Sequence, residues 1–132
     1  MVGTNDLNRS IKFYDELFKV IGLKRTDTDD VCAGYITIGG SGSIEFYITK
    51  PFNKEKATFG NGAQVSFIVG NRNIVDKFHE VGLKLGARSE GSGGERPAGS
   101  GVYYSYIRDL DGNKICAFTN SKIWCHTNLS KR

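Results

Sequence analysis

Three polar side chains of this 132-residue chain could do chemistry in strand-like surroundings. Glu45 supplies a carboxylate, Gln64 an amide and Cys116 a thiol. As metal donors they would make an unusual set, because hard divalent ions prefer carboxylate or imidazole and a thiolate favours zinc. We interpret Cys116 as a small buried residue and Gln64 as a hydrogen-bonding pocket residue, with metal ligation as the alternative for each. Glu45 could bind a cationic ligand, act as a base or point at water.

Aromatic side chains accompany these polar residues at a spacing of two. Side chains alternate between the faces of a strand, so Tyr104 and Tyr106 share a face, as do Cys116 and Phe118. A face this aromatic is typical of the lining of a concave ligand site. The alternative is that the tyrosines only stiffen an exposed sheet.

The same alternation extends the predicted ligand face to the first half of the chain. It places Glu45 with Tyr47, and it adds Tyr35 because Ile36 and Ile38 are expected on the core side. In the glycine-rich segment near residue 95, Arg96 could reach an anionic ligand, or it could be a solvated arginine. The predicted ligand-binding residues are Tyr35, Glu45, Tyr47, Gln64, Arg96, Tyr104, Tyr106, Cys116 and Phe118.

The elements that would position these residues repeat once along the chain. Apolar residues at helical spacing predict one helix after the N-cap Asp6 and a second opened by Asn73, and their matching segments lie 65 residues apart. Strand-like runs follow each helix at 33–38, 43–49, 102–108 and 114–119, the last two joined by an Asp-Gly turn. We expect residues 89–101 to form a Gly/Ser-rich loop that could act as a lid. Each half therefore predicts a strand, a helix and two or three further strands.

Composition narrows the possible function classes. The net charge of +4 is modest and spread along the chain, which argues against nucleic acid as a partner. No apolar run is long enough for a membrane span, and no signal peptide is apparent. Three cysteines without a C-x-x-C pair fit reduced thiols, so we expect a cytoplasmic protein.

Three segments together carry a family resemblance. They are Asn5–Tyr14 with the pattern D-L-N-R-S-I-K-F-Y, Gln64–Phe67, and Arg108–Ile115 with D-L-D-G-N-K-I. In this combination the chain resembles the vicinal oxygen chelate superfamily, which includes glyoxalase I, bleomycin resistance proteins, thiol transferases and extradiol dioxygenases. The resemblance implies an α+β fold of two βαβββ modules whose mixed sheets curl into cups, assembled as a homodimer. We expect a single domain over residues 1–120, with modules at 1–50 and 63–120 and a C-terminal tail at 121–132.

The metal ligands implied by the resemblance do not match this sequence. The family's first histidine falls seven residues before the aspartate that matches Asp6, a position preceding Met1. Its second histidine corresponds to Gln64 and its glutamate to Cys116, while some members use a glutamate near Glu45. The sequence therefore predicts no metal site and no cofactor, although a divalent metal stays possible.

Two functional hypotheses follow, with a third held beside them. The first is a small-molecule-binding protein of the bleomycin resistance type that holds an organic ligand in an aromatic cup without the usual metal. The second is a metal-dependent lyase, transferase or dioxygenase with a remodelled ligand set. The third is a protein that uses the cup as an interaction surface. The ligand positions favour the first and leave open whether the protein is an enzyme.

Overall fold

A computed structural model of the protein describes residues 1–120, so the predicted tail at 121–132 lies outside the described residues. The first half contains β1 (Val2–Gly3), α1 (Leu7–Leu17), a 3₁₀ turn (Phe18–Val20), β2 (Leu23–Thr28), β3 (Cys32–Thr37) and β4 (Ile44–Thr49). The second half contains β5 (Val65–Ile68), α2 (Arg72–Lys84), β6 (Arg88–Glu95), β7 (Val102–Arg108) and β8 (Lys114–Asn120). The predicted α+β fold of two βαβββ modules is confirmed. None of the described helices is long and apolar enough to cross a membrane.

Each half forms one four-stranded mixed sheet with the same strand order. The order is β1-β4-β3-β2 in the first sheet and β5-β8-β7-β6 in the second. The first strand of each half runs parallel to the last, and the remaining pairs are antiparallel. The internal repeat in the sequence is therefore a repeat of topology.

The two helices begin at side chains that cap their first turn. Asp6 accepts a hydrogen bond from the backbone amide of Arg9 at 3.0 Å, as the sequence predicts. The second helix is capped by Asn71, whose side chain accepts from the amide of Ile74 at 3.0 Å. The prediction of Asn73 as the cap is wrong by two residues, because Asn71 has the extended backbone that a cap requires.

Each helix packs on one face of its own sheet. In the first half, four buried rings form the buried aromatic cluster, with centroids 5.0–6.4 Å apart: Tyr14, Phe18, Tyr35 and Phe46. In the second half the core is mainly aliphatic, with Val75, Phe78, Ile107 and Ile115 fully buried. Burial of these apolar side chains is the main force that holds each helix on its sheet.

Two edge strands were missed by sequence analysis. Residues 88–95 form β6, paired with β7, so the expectation of a flexible loop over 89–101 is wrong for most of that segment. Its glycines are tolerated at the sheet edge, where the register shifts around Gly91. Similarly, β2 is polar and exposed at every position except Leu23, as is typical of a protected edge strand, so it lacks the alternation of apolar residues that predicts a strand.

The described chain divides into two compact units. The first comprises residues 1–63 with 110–113, and the second comprises 64–109 with the chain from 114 onward. In the first unit, the Asp111 carboxylate accepts hydrogen bonds from Thr4 Oγ1 at 2.6 Å and from the Asn5 amide at 2.9 Å. The predicted hairpin of β7 and β8 is confirmed, and Gly112 in its turn has a φ of +88° that favours glycine.

Candidate functional site: an aromatic ladder on the second sheet

The two faces of the second sheet are distinguished by their contacts with α2. Tyr103 donates a hydrogen bond to Asp76 Oδ1 at 2.7 Å, and Ser105 Oγ donates to the carbonyl of Val75 at 3.0 Å. Both partners lie on α2, so the odd-numbered side chains of β7 face this helix. Because side chains alternate along a strand, Tyr104 and Tyr106 point away from it.

Three rings on this second face form what we call the aromatic ladder: Tyr104, Tyr106 and Phe118. The rings of Tyr104 and Tyr106 lie 5.8 Å apart and only 7° from parallel, and Phe118 stacks on Tyr104 at 5.6 Å and 22°. All three side chains are half-buried. The sequence prediction that these residues share one face is confirmed.

Two cations lie against Tyr106, the ring at one end of the ladder. The guanidinium carbon of Arg96 is 5.1 Å from the Tyr106 ring centroid, and Lys114 Nζ is 4.9 Å from the same centroid. Both distances are within the range of a cation–π attraction. In the part of the chain that the structure describes, neither cation forms an ion pair with a carboxylate.

Backbone carbonyls hold Arg96 in this position. Its Nη1 donates to the carbonyls of Tyr104 at 2.7 Å and Gly94 at 3.1 Å, and its Nη2 donates to that of Ser92 at 2.8 Å. The guanidinium also requires a glycine beside it, since a Cβ at Gly91 would lie 2.8 Å from Nη2. Arg96 is thus a fixed part of this face rather than a solvated side chain.

Polar residues continue the same face beyond the ladder. Gln64 Nε2 donates to Ser66 Oγ at 2.8 Å, and Ser66 pairs across the strands with Cys116, which in turn pairs with Tyr106. Cys116 is fully buried, as predicted. Burial raises the pKa of its thiol to about 11, so the thiol is protonated at neutral pH.

These residues do not fit the divalent metal that the fold family implies. Cys116 offers a neutral thiol and Gln64 an uncharged amide, so neither supplies the carboxylate or imidazole that a divalent ion of this kind prefers. Among residues 1–120, no three His, Cys, Asp or Glu side chains lie close enough together to hold a metal ion. We therefore derive no chemical step through a metal.

Tyr35 lies in the core, which contradicts its predicted place on the ligand face. Its side chain is fully buried, and its ring packs edge-on against Phe18 at 5.0 Å. The phenol donates to Asp15 Oδ1 at 2.9 Å, and burial raises the pKa of that hydroxyl. The prediction failed because Tyr35 pairs across the strands with the core residue Phe46, whereas Ile38 is exposed.

Glu45 is also on the wrong side for the predicted site. The register of β3 and β4 passes from Tyr35–Phe46 to Ile36–Ile44, so Glu45 is the extra residue of a β-bulge. Its carboxylate accepts a hydrogen bond from Thr37. Thr37 pairs with the buried Leu23, which places it on the helix side of the sheet.

The bulge puts an apolar residue where the carboxylate was expected. A Cβ at Gly34 would lie 3.1 Å from both Ile44 Cδ1 and Tyr47 Cε1, so these two side chains share the face opposite the helix. Tyr47 is half-buried there, as predicted. This face of the first sheet therefore holds Tyr47 without the predicted acidic neighbour.

Six of the nine predicted residues lie together on the second sheet. They are Gln64, Arg96, Tyr104, Tyr106, Cys116 and Phe118. Alternation from Gln64 also predicts Ser66 on this face, whereas sequence analysis missed Lys114, although period two along β8 places it with Cys116. The alternation along β8 is therefore a sequence signal for Lys114.

Comparison with known proteins agrees with this architecture. Residues 1–117 match the model of the Glyoxalase/Bleomycin resistance protein/Dioxygenase superfamily. A glyoxalase/bleomycin resistance protein from Albidiferax ferrireducens is 36% identical, with a TM-score of 0.79 over 91% of this chain and 94% of that protein. Among curated proteins, none matches the chain significantly.

More distant structures share the fold alone. A glyoxalase/bleomycin resistance protein/dioxygenase family enzyme from Burkholderia phytofirmans is 19% identical, with a TM-score of 0.69 over 89% of this chain and 93% of that one. Lactoylglutathione lyase from Agrobacterium tumefaciens is 20% identical, with a TM-score of 0.64 over 93% and 91% of the two chains. On the match over residues 1–117, this chain belongs to the glyoxalase/bleomycin resistance protein/dioxygenase superfamily.

Proposed function

We propose that the protein binds a small planar organic molecule on the aromatic ladder without a tightly held metal. The observation that carries the proposal is the parallel stacking of Tyr104 and Tyr106, 7° apart, on the face turned away from α2. A flat ligand extends such a stack with little loss of side-chain freedom, because the rings are already aligned. Family membership supports a small-molecule role of this kind.

The polar neighbours of the ladder supply orientation rather than chemistry in this proposal. Gln64 and Ser66 form a hydrogen-bonded pair on the same face and can exchange that bond for one to a ligand. Cys116 contributes a neutral, buried thiol between them and Tyr106. A nucleophile or a proton-transferring group of suitable pKa is not part of this set.

The test is calorimetric binding of a neutral planar probe, 2-naphthamide. We expect measurable binding that weakens by about 1–3 kcal/mol in Tyr106→Ala, through lost stacking and burial. The matched control is Tyr103→Ala, which removes the same ring from the same strand but on the α2 face. Binding that Tyr103→Ala and Tyr106→Ala reduce equally, or no binding at all, would contradict the proposal.

The metal-dependent enzyme is the competing function, and metal analysis separates the two. Protein purified without chelator should carry well below one metal ion per chain, because the donors around Cys116 are a neutral thiol and an amide. One equivalent of metal that disappears in Cys116→Ala would favour the enzyme. Cys32→Ala is the control, since it removes a different free thiol.

We also propose that the protein is a homodimer that acts in the cytoplasm. Exposed apolar side chains support self-association: Ile38 is 58% exposed and Phe52 is fully exposed in the structure of one chain. Sedimentation equilibrium at micromolar concentration should give twice the mass of one chain, and a monomer would contradict the proposed homodimer. Recovery of the protein in a membrane or extracellular fraction would contradict the proposed cytoplasmic location.

A further inference from the structure

We infer that the ligand of the aromatic ladder is an aromatic anion of the arenecarboxylate class, read by Arg96 and Lys114. This inference rests on the proposed function and narrows it. If the ring of such a ligand stacks on the ladder, its acid group can lie beside Arg96 and Lys114. These two cations are 5.1 and 4.9 Å from the centroid of the Tyr106 ring. Stacking would contribute affinity through buried apolar surface, and the two cations would make the site selective for a negatively charged ligand.

Neither cation forms an ion pair with a carboxylate in the described part of the chain, although Lys114 lies near enough to Glu90 to help lower the pKa of that carboxyl. The nearby carboxylates of β6 are engaged elsewhere: Glu90 pairs with Arg108 at 2.8 Å and Glu95 pairs with Arg72 at 2.6 Å. Among residues 1–120 no carboxylate pairs with Lys114 or Arg96, so two positive charges converge on one half-buried ring. The attraction of both cations to a bound carboxylate would offset the repulsion between them.

Arg96 is also organised in advance for an anion. Three of the five N–H groups of its guanidinium donate to backbone carbonyls, which fix its plane and leave the remaining donors for a ligand. A fixed fork loses little conformational freedom when it binds a carboxylate. Lys114 is the flexible member of the pair and can follow the position of the acid group.

The geometry disfavours the cationic ligand that a carboxylate at Glu45 would have predicted. Glu45 lies on the other sheet and accepts its hydrogen bond from Thr37 on the helix side. On the second sheet, the two charged groups that contact a ring of the ladder, Arg96 and Lys114, are both positive. A cationic aromatic compound would therefore be repelled from the ladder.

The experiment compares two probes of nearly equal shape, 2-naphthoate and 2-naphthamide, by calorimetry at low salt. We expect the anion to bind about tenfold more tightly, as two partly exposed charge pairs allow, and this preference to shrink as ionic strength rises. Lys114→Met should reduce the preference by about threefold and leave the affinity for 2-naphthamide nearly unchanged. Lys77→Met on α2 is the control and should not alter either affinity.

Two further variants test Arg96 without removing its charge. Gly91→Ala places a methyl carbon 2.8 Å from Nη2, which is too close, so the guanidinium must move and the preference for 2-naphthoate should fall severalfold. Because Gly91 also has a positive φ of +152°, the matched control is Gly99→Ala, where φ is +81° but an added Cβ would meet nothing within 4 Å.

The outcomes separate this inference from the function on which it rests. Equal affinity for the two probes, with Tyr106→Ala weakening both, would overturn the anion class and leave the proposed function standing. Affinity that is insensitive to Tyr106→Ala, or no binding of either probe, would overturn both. Tighter binding of 2-naphthoate that Lys114→Met and Gly91→Ala fail to reduce would also overturn the inference.

Discussion

Two groups of aromatic rings, one in each sheet, lie at similar distances but have opposite geometry. In the buried aromatic cluster, rings meet edge-on or tilted, at 47–85°. In the aromatic ladder they are nearly parallel, at 7° and 22°. Edge-to-face contacts fill space on all sides, whereas a parallel stack leaves a ring face open to a further planar partner. The first arrangement is suited to holding a fold and the second to holding a ligand.

The tyrosine hydroxyls of the two groups also differ, because in the described part of the chain that of Tyr35 is hydrogen-bonded inside the protein and those of the ladder are not. The Tyr35 hydroxyl donates to Asp15, which also accepts from Arg25 at 3.1 Å, so the buried phenol is fully satisfied within its own unit. Within residues 1–120, the hydroxyls of Tyr104 and Tyr106 have no hydrogen-bond partner. The comparison predicts that mutations in the cluster change stability and mutations in the ladder change binding.

The largest expected effect is on stability at Phe46. Phe46→Ala should lower the free energy of unfolding by about 3–5 kcal/mol, because the ring is 1% exposed and its removal leaves a cavity. The same substitution at the half-buried Phe118 should cost only about 1–2 kcal/mol. Urea denaturation of both variants measures the difference, and equal costs would break the distinction between the two groups.

The next effect concerns binding at the ladder. Tyr104→Ala should weaken 2-naphthamide by about 1–3 kcal/mol, because Tyr104 stacks on both of the other rings. Tyr47→Ala removes a half-buried tyrosine from the first sheet and should change the affinity much less. Calorimetry on the two variants decides between the sheets. A larger loss at Tyr47 would place the ligand on the first sheet.

A smaller effect tests the buried hydroxyl of the cluster. Tyr35→Phe should destabilise the protein by about 1 kcal/mol, since it removes one buried hydrogen bond and leaves Asp15 with Arg25. Tyr104→Phe is the matched control and should leave the free energy of unfolding nearly unchanged. If the two variants unfold at the same urea concentration, the Tyr35 hydroxyl contributes nothing.

The smallest effect is expected at Cys116 under native conditions. With Cys32 and Cys125 replaced by serine, the remaining thiol should not react with a disulfide reagent at pH 8, because only about one molecule in a thousand carries the thiolate when the pKa is about 11. Reaction should appear on unfolding. Fast reaction of the native protein would show a lowered pKa instead and would reopen the metal hypothesis.

The same thiol predicts how stability depends on pH. Its pKa is raised in the folded state relative to about 8.5 in the unfolded chain, so its contribution is complete below pH 8.5 and is lost as the pH rises towards about 11. Cys116→Ala should therefore flatten the fall in urea midpoint over that range. An unchanged pH profile in the variant would mean that other groups cause the fall.

Period-two alternation was sufficient to assign the faces of β7 and β8 in the second sheet. Between Tyr104 and Phe118 the register of β7 and β8 runs without a shift, so faces assigned from the sequence agree with the structure. The helices and the hairpin were predictable for similar reasons: apolar spacing of a helix, the cap at Asp6 and the Asp-Gly turn are local signals. The resemblance to the family then predicted the architecture of two βαβββ modules.

Tertiary structure alone decided the first sheet and the edge strands. One extra residue at Glu45 reverses the faces on one side of the bulge, and a bulge depends on the partner strand rather than on the strand's own composition. Likewise, β6 is a strand because β7 pairs with it, despite its glycines. The sequence by itself determined the local periods and the turn between β7 and β8. Only the register in which neighbouring strands pair decided which way Tyr35 and Glu45 face, and that Arg96 and Lys114 meet at Tyr106.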